Sequence, residues 1–213
     1  MNRIRNLKTL MGPFPYFNVN DAPQSPHELF LEWFQLAVDK GIREPHSMTL
    51  STIDSCGFPD ARVLILKDVD EKGWCFASSS QSKKGKQIEA NPHVALTFYW
   101  SLIGRQVRIR GKAMKMEKDE STKDFLKRGT VARAVALMGK QSTILKDQLE
   151  LEEALSKQTQ RIRLNPDLVD PFWTFYRVEA DSVEFWQADE DRKHIRLRYE
   201  LEGETWLKNR LYP

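Results

Sequence analysis

The sequence predicts an α+β fold, mainly β: a barrel of antiparallel strands with flanking helices. Two observations carry this. Apolar runs of strand length follow one another closely, at Ser47–Ile53, 62–67, 74–78, His93–Trp100, 105–116, 172–178, 182–187, 195–201 and 205–210, with turn residues between them at 54–57, 68–73, 180–181 and 202–203. Helical patterns interrupt this succession a few times and do not alternate with it, as a parallel sheet would require.

The elements read in order as follows. The first 24 residues are rich in Pro and Asn and read as a partly extended arm, ahead of a single domain over 25–213. A helix begins at Pro26, with Ser25 as the cap and Glu28 at the capping-box position. Leu29, Phe30, Trp33, Phe34 and Ala37 form its apolar stripe, and Gly41 ends it. The run Val63, Leu64, Ile65, Leu66 reads as a buried strand bracketed by Arg62 and Lys67. A short helix opens at Lys83 and stops at Asn91 and Pro92. The strand over 105–116 alternates: Val107, Ile109, Gly111 and Ala113 take one face, and Gln106, Arg108, Arg110 and Lys112 the other. One wall of it is therefore polar and basic. Residues 117–138 read as helix broken near Gly129, and 146–162 as an amphipathic helix carrying Leu149, Leu155 and Ile162.

Composition bounds the function. The chain has 213 residues, 40% apolar and 30% charged, enough for a real core beneath a charged surface. Its 33 basic and 30 acidic residues leave a net charge of +3, which supports local basic pockets and gives no case for a nucleic-acid-coating surface. Cys56 and Cys75 have no CxxC spacing, so neither a metal site nor a disulfide framework is expected, and a reducing cytoplasm fits. The first residues are basic but lack the apolar core of a signal peptide, and no membrane-spanning helix is expected.

Chemistry gathers between residues 62 and 91. Ser78, Ser79, Ser80 and Gln81 precede a helix opened by Lys83 and Lys84. Unpaired N–H groups at a helix start carry partial positive charge, so hydroxyls and ammonium groups there make a phosphate seat. Taken alone, the cluster fits a capped surface helix with solvated lysines better. Nucleophile, zinc-protease, P-loop and dinucleotide-binding motifs are all missing. The remaining candidates lie near the C-terminus, in VEFWQ (183–187) and RKHIR (192–196). In isolation His194 reads as structural, Arg192 and Arg196 as surface charges, and Trp186 as core.

In combination these segments resemble the pyridoxamine 5′-phosphate oxidases, flavin enzymes built on a split barrel. The resemblance runs from about residue 25 to the end, on RVLILK (62–67), SKKGKQIEANP (82–92), RQVRIRGKA (105–113), KQS (140–142), VEFWQ (183–187), RKH with Arg196, and WLKNRLYP (206–213). It implies an FMN-binding split β-barrel that works as a homodimer with FMN at the interface. It implies an oxidase that takes a hydride from an amine- or alcohol-bearing ring, pyridoxine or pyridoxamine 5′-phosphate, onto flavin N5 and reduces O2 to H2O2. Carried over position by position, Arg62 and Lys84 hold the FMN phosphate, helped by Ser78 and by Lys83, which replaces an arginine. The segment Val63, Leu64, Ile65, Leu66 and Lys67 lies along the flavin, with Ala77, Gln106, Gln141, Ser142, Trp186 and Arg196. Arg192 and His194 are the catalytic pair, and Trp186, Arg192, His194 and Arg196 come from the partner chain.

Two features depart from the pattern. In the substrate's phosphate clamp Lys67 and Arg128 are kept, but a tyrosine position holds Asp124 and a serine position holds Ala132. Lost hydroxyl donors and a gained carboxylate weaken phosphate binding. This leaves open an alternative: an FMN oxidase of another planar aromatic, such as the reduced phenazine carboxylic acid used by a side branch of the family. A flavin-binding module with little catalysis and a fold relative without flavin are further alternatives. Arg62 and Lys67 also lie five residues apart, on opposite faces of an ideal strand, so both reach one cofactor only if the strand bends or ends before Lys67.

Overall fold

The structure, a computed structural model, describes residues 4–8 and 10–213; the arm expected over 1–24 lies partly outside the described residues. The first long helix, α1, is Pro26–Asp39. Ser25 has the extended backbone of a cap, but its side chain makes no capping hydrogen bond, so the expected capping box is not formed. The other end closes as the glycine predicts. Gly41 has φ +71°, and Ile42 N–H donates to Ala37 O at 3.1 Å and Gly41 N–H to Val38 O at 2.9 Å.

The strands are β1 (Ser47–Ile53), β2 (Pro59–Asp70), β3 (Gly73–Ser79), β4 (His93–Trp100), β5 (Arg105–Lys115), β6 (Trp173–Gln187), β7 (Ile195–Glu202) and β8 (Thr205–Leu211). They form one antiparallel sheet in the order β3-β2-β1-β4-β5-β6-β7-β8. β3 also pairs with β6, so the first six in that order close into a barrel and β7 and β8 extend beyond it.

One strand replaces two. The runs 172–178 and 182–187 were expected to be separated by a turn at 180–181, but β6 is continuous. Opposite it, Arg110 pairs with Ser182 and Gly111 with Ala180, leaving Asp181 as the extra residue of a bulge. A bulge bends a strand without ending it. The N-terminal half of β6 therefore pairs with β3, closing the barrel, and its C-terminal half pairs with β7. Gly111 is required here: a Cβ on it would lie 2.0 Å from Glu179 O.

The α1 stripe supplies much of the core. Phe30 is fully buried, with ring centroids 4.9 Å from Phe98 and 5.9 Å from Trp74. Trp33 packs edge-on to Phe185 at 5.1 Å and carries the buried Arg105 guanidinium 4.1 Å above its ring. Burial pushes Arg105 down to about 10.

The remaining helices are α2 (Lys83–Ala90), α3 (Lys118–Leu126), α4 (Thr130–Leu137) and α5 (Gln148–Leu164). The break near Gly129 falls as expected. α5 starts two residues later than expected, because Asp147 caps it by accepting from Leu149 N–H at 2.9 Å. Ile162 is buried, whereas Leu149 of the expected stripe is 65% exposed. Among the described residues, no helix is long and apolar enough to cross a membrane.

Candidate functional site

A cavity of about 900 Å³ lies between the barrel wall and the helices that follow it. Val63, Leu64, Ile65 and Lys67 of β2, Ala77 and Ser78 of β3, and Trp173 of β6 line the barrel side. Arg128, Ala132 and Gln141 lie on the other side with the apolar residues of α4 and α5. The expected buried strand at 63–66 is thus corrected. Leu66 is buried, but Val63 is 64% exposed, because its row faces the cavity and not the core. An exposed apolar row beside a few polar groups is the usual make-up of a ligand site.

The polar end of the cavity is a small ionic cluster. Lys67 Nζ lies 3.2 Å from Asp124 Oδ1, and Trp173 Nε1 donates to Asp124 Oδ2 at 2.8 Å. The Arg128 guanidinium stacks 4.1 Å over the Trp173 ring. Burial lowers the Arg128 pKa, and the Asp124 charge opposes that shift. Lys67 occupies the irregularity itself: Leu66 pairs with Phe76 and Asp68 with Cys75, so the β2–β3 register shifts around it. The strand is therefore irregular at the point where the spacing of Arg62 and Lys67 demanded it.

A second cationic group surrounds the start of α2. Ser82 caps the helix by accepting from Gly85 N–H at 3.2 Å. A Cβ on Gly85 would lie 2.5 Å from Ser79 O, so only glycine lets the helix start sit this close to the end of β3. Lys84 is buried, and its one hydrogen bond among the described residues is to Ser82 Oγ at 3.4 Å. Burial lowers its pKa, and the nearby Arg62 charge lowers it further. Arg62 donates to Thr52 Oγ1 at 2.6 Å and Gln87 Oε1 at 3.2 Å and pairs with Asp60 at 2.8 Å. Lys83 also pairs with Asp60, at 3.2 Å. A buried ammonium beside a guanidinium at a helix N-terminus is what an anion relieves, so these residues fit a phosphate. The apolar row of β2 fits a planar ring system.

The C-terminal candidates form a third group, which does not line the cavity within this chain. Gln106 and Trp186 are cross-strand partners, as are Trp186 and Arg196. Arg196 Nε donates to Glu184 Oε1 at 2.9 Å, and Arg108 pairs with the other oxygen. Burial raises the Glu184 pKa, but the hydrogen bonds from Arg196 and Arg108 outweigh it and hold the carboxyl below its usual range. The His194 ring lies 4.7 Å from that of Trp186, and its Nδ1 accepts from Asp189 N–H at 3.1 Å, leaving Nε2 to carry the ring proton. Asp189 Oδ1 also accepts from Lys193 N–H at 3.0 Å, and Arg192 between them is left-handed at φ +63°. Ser142 is left-handed too, at +68°.

Sequence reasoning missed the supporting residues. Trp173, Asp60, Thr52, Gln87, Glu184 and Asp189 were not singled out, although each holds a candidate or its partner. Asp60 alone left a local signal: it stands two residues before Arg62 and so shares its strand face. The basic wall of β5 has one partner now, since Arg108 pairs with Glu184.

Known proteins match this architecture throughout. Residues 34–169 match the family model described as pyridoxamine 5′-phosphate oxidase, and 173–213 match the pyridoxine 5′-phosphate oxidase C-terminal dimerisation region. The pyridoxine/pyridoxamine 5′-phosphate oxidase of Ectopseudomonas mendocina is 40% identical over 194 residues, 90% of each chain. That of Rubrobacter xylanophilus is 39% identical over 192 residues, 90% of this chain and 88% of the relative. The crystal structure of PhzG from Burkholderia lata, in complex with tetrahydrophenazine-1-carboxylic acid, is similar at TM-score 0.88 and 30% identity, covering 95% of this chain and all of that one (100%). Barrel, cavity and relatives together define an oxidoreductase of the split-barrel class. Within that class, the chain belongs to the pyridoxamine 5′-phosphate oxidase family.

Proposed function

We propose that this protein is an FMN-dependent oxidase acting as a homodimer, with pyridoxamine or pyridoxine 5′-phosphate as the first substrate to test. The observation that carries the reading is the juxtaposition of Arg62 with the buried Lys84 at the start of α2. Arg62, Lys84 and Ser78 would hold the FMN phosphate, with Lys83 at the rim. Val63, Leu64, Ile65 and Ala77 would lie along the ring system, with Gln141 on the far wall. FMN, when bound, supplies two-electron oxidation of the substrate and passes the electrons to O2, giving H2O2.

The chain's own residues do the positioning. Lys67 and Arg128 would receive the polar head of the substrate. Arg192 and His194, with Trp186, Arg196 and Gln106, would complete the site from the partner, and the match of 173–213 to a dimerisation region supports that arrangement. His194 would hold its proton on Nε2, towards the substrate, because Nδ1 is engaged by Asp189 N–H. The test is peroxide production by FMN-loaded protein, with pyridoxamine and pyridoxine 5′-phosphate beside unphosphorylated aromatics. Turnover no faster than that of free FMN with every compound would end the oxidase reading.

One observation favours a second reading, a different planar aromatic substrate. Lys67, which lines the cavity, is already paired with Asp124.

A further inference from the structure

We infer that Asp189 is the positioning residue for the proposed catalytic pair: its carboxylate fixes the turn that aims Arg192 and seats the ring proton of His194 on Nε2. The inference rests on the oxidase reading above for what that pair does, and goes beyond it in naming the residue that holds the pair in place. Residues 188–194 join β6 to β7. Beyond Ala188 the connection is Asp, Glu, Asp, Arg, Lys and His, so it has no apolar side chain to pack and takes its order from hydrogen bonds. Its stem is rigid. Ala188 N–H donates to Gly104 O at 2.7 Å, and the buried Gln187 accepts from Arg105 Nε at 2.8 Å.

Asp189 orders the rest. Its Oδ1 accepts from Asp191 N–H at 2.9 Å and from Lys193 N–H at 3.0 Å, and its carbonyl oxygen accepts from Arg192 N–H at 3.1 Å. Three consecutive amides therefore converge on one residue, two of them on a charged acceptor, which makes the stronger kind of hydrogen bond. Arg192 sits in the middle with φ +63°, a conformation that a residue with a side chain keeps only where its surroundings impose it. The bonds from Arg192 N–H and Lys193 N–H fix the peptide planes on both sides of the Arg192 Cα, and with them the direction in which its guanidinium leaves the backbone. His194 is reached from the same residue: Asp189 N–H donates to its Nδ1 at 3.1 Å, which leaves the ring proton to Nε2, and the ring lies 4.7 Å from that of Trp186. The other charges of the loop do not share this work. Asp191 and Lys193 pair with each other at 3.2 Å with both side chains 77% exposed, a kind of pair that contributes little, and Glu190 is exposed.

The test begins with a readout that needs no turnover. FMN-loaded protein labelled with nitrogen-15 in histidine is recorded by NMR at about pH 8.5, above the ordinary imidazole range. The chain has 4 histidines, and the signals lost in His194→Gln identify the one of interest. The native chain should show His194 with its proton on Nε2. Asp189→Ala should give shifts averaged between the two tautomers, and Asp189→Asn, which keeps an oxygen for the two amides, should keep the native pattern. With pyridoxamine 5′-phosphate, Asp189→Ala should lower kcat about tenfold through His194 and raise KM about tenfold through Arg192, and Asp189→Asn should return both to within about threefold of native. Urea midpoints read folding separately, and if Asp189→Ala does not fold, Asp189→Ser carries the same comparison. A native proton on Nδ1, a native tautomer pattern in the Ala or Ser variant, or an Asn variant as impaired as the Ala variant would each overturn the inference. If the native protein turns over no substrate, the oxidase reading falls, and the tautomer pattern still decides whether Asp189 holds the loop.

Discussion

Arg196 and Glu184 are joined across neighbouring strands, Nε to Oε1 at 2.9 Å, and Arg108 closes on the same carboxylate from the other side. A nearly buried carboxylate between two guanidiniums is held ionised. Its folded pKa lies below the ordinary glutamate value, so its contribution to stability is fully present above about pH 4.3 and is lost as pH falls through the folded value. Glu184→Gln should therefore lose stability near neutral pH and show a shallower further loss on acidification than the native chain. Urea midpoints measured from about pH 6 down to 3 check this. Parallel curves for the two proteins would show that the pair does not couple to folding.

Lys84 gives a prediction of opposite pH sense. Burial, with Arg62 adding to it, holds its pKa below that of a free lysine, so the ammonium is lost earlier as pH rises. If it grips a phosphate, FMN affinity should decline as pH rises towards the ordinary lysine value, before exposed lysines titrate. Lys84→Arg should flatten that decline. Fluorescence titration of FMN at a series of pH values measures it.

Gly85→Ala should damage both stability and flavin binding. The added Cβ meets the backbone oxygens of Ser79 and Ser80 at 2.5 Å, and backbone cannot move aside as a side chain can. A cost of roughly 1–3 kcal/mol is expected, with the start of α2 displaced. Gly129→Ala is the control, because nothing lies within 4 Å of its Cβ position. Because Gly129 caps α4, its replacement should cost only the cap preference, about 0.5–1 kcal/mol by thermal midpoint, and leave flavin binding unchanged.

A shared site predicts complementation. Arg62→Ala and Arg196→Ala chains should each retain little flavin. Unfolded together and refolded as a mixture, they should recover about a quarter of the sites, because half of random dimers are mixed and each mixed dimer has one intact site. No recovery would place both arginines at the same site of one chain.

Much of the fold was legible because it is local. The α1 stripe, the Gly41 stop, the alternation of β5 and the break at Gly129 all follow from period and backbone preference within a few residues. The misreadings have one cause as well. The pair Ala180 and Asp181 resembles a turn, but pairing with Gly111 makes it a bulge, and nothing local separates the two. Val63 resembles core because apolar residues say nothing about which side of a strand is covered.

The sequence by itself determined most of the strands and helices, which residue types crowd the start of α2, and the resemblance that the family matches bear out. Only the tertiary structure decided that Lys67 meets Asp124, that Trp173 links Asp124 to Arg128, and that Glu184 rather than solvent faces Arg196. The first two join segments far apart in the chain and form once β6 has closed the barrel on β3, whereas Glu184 and Arg196 meet across the β6–β7 pair. Contact between distant side chains depends on that closure, which no short stretch of sequence encodes.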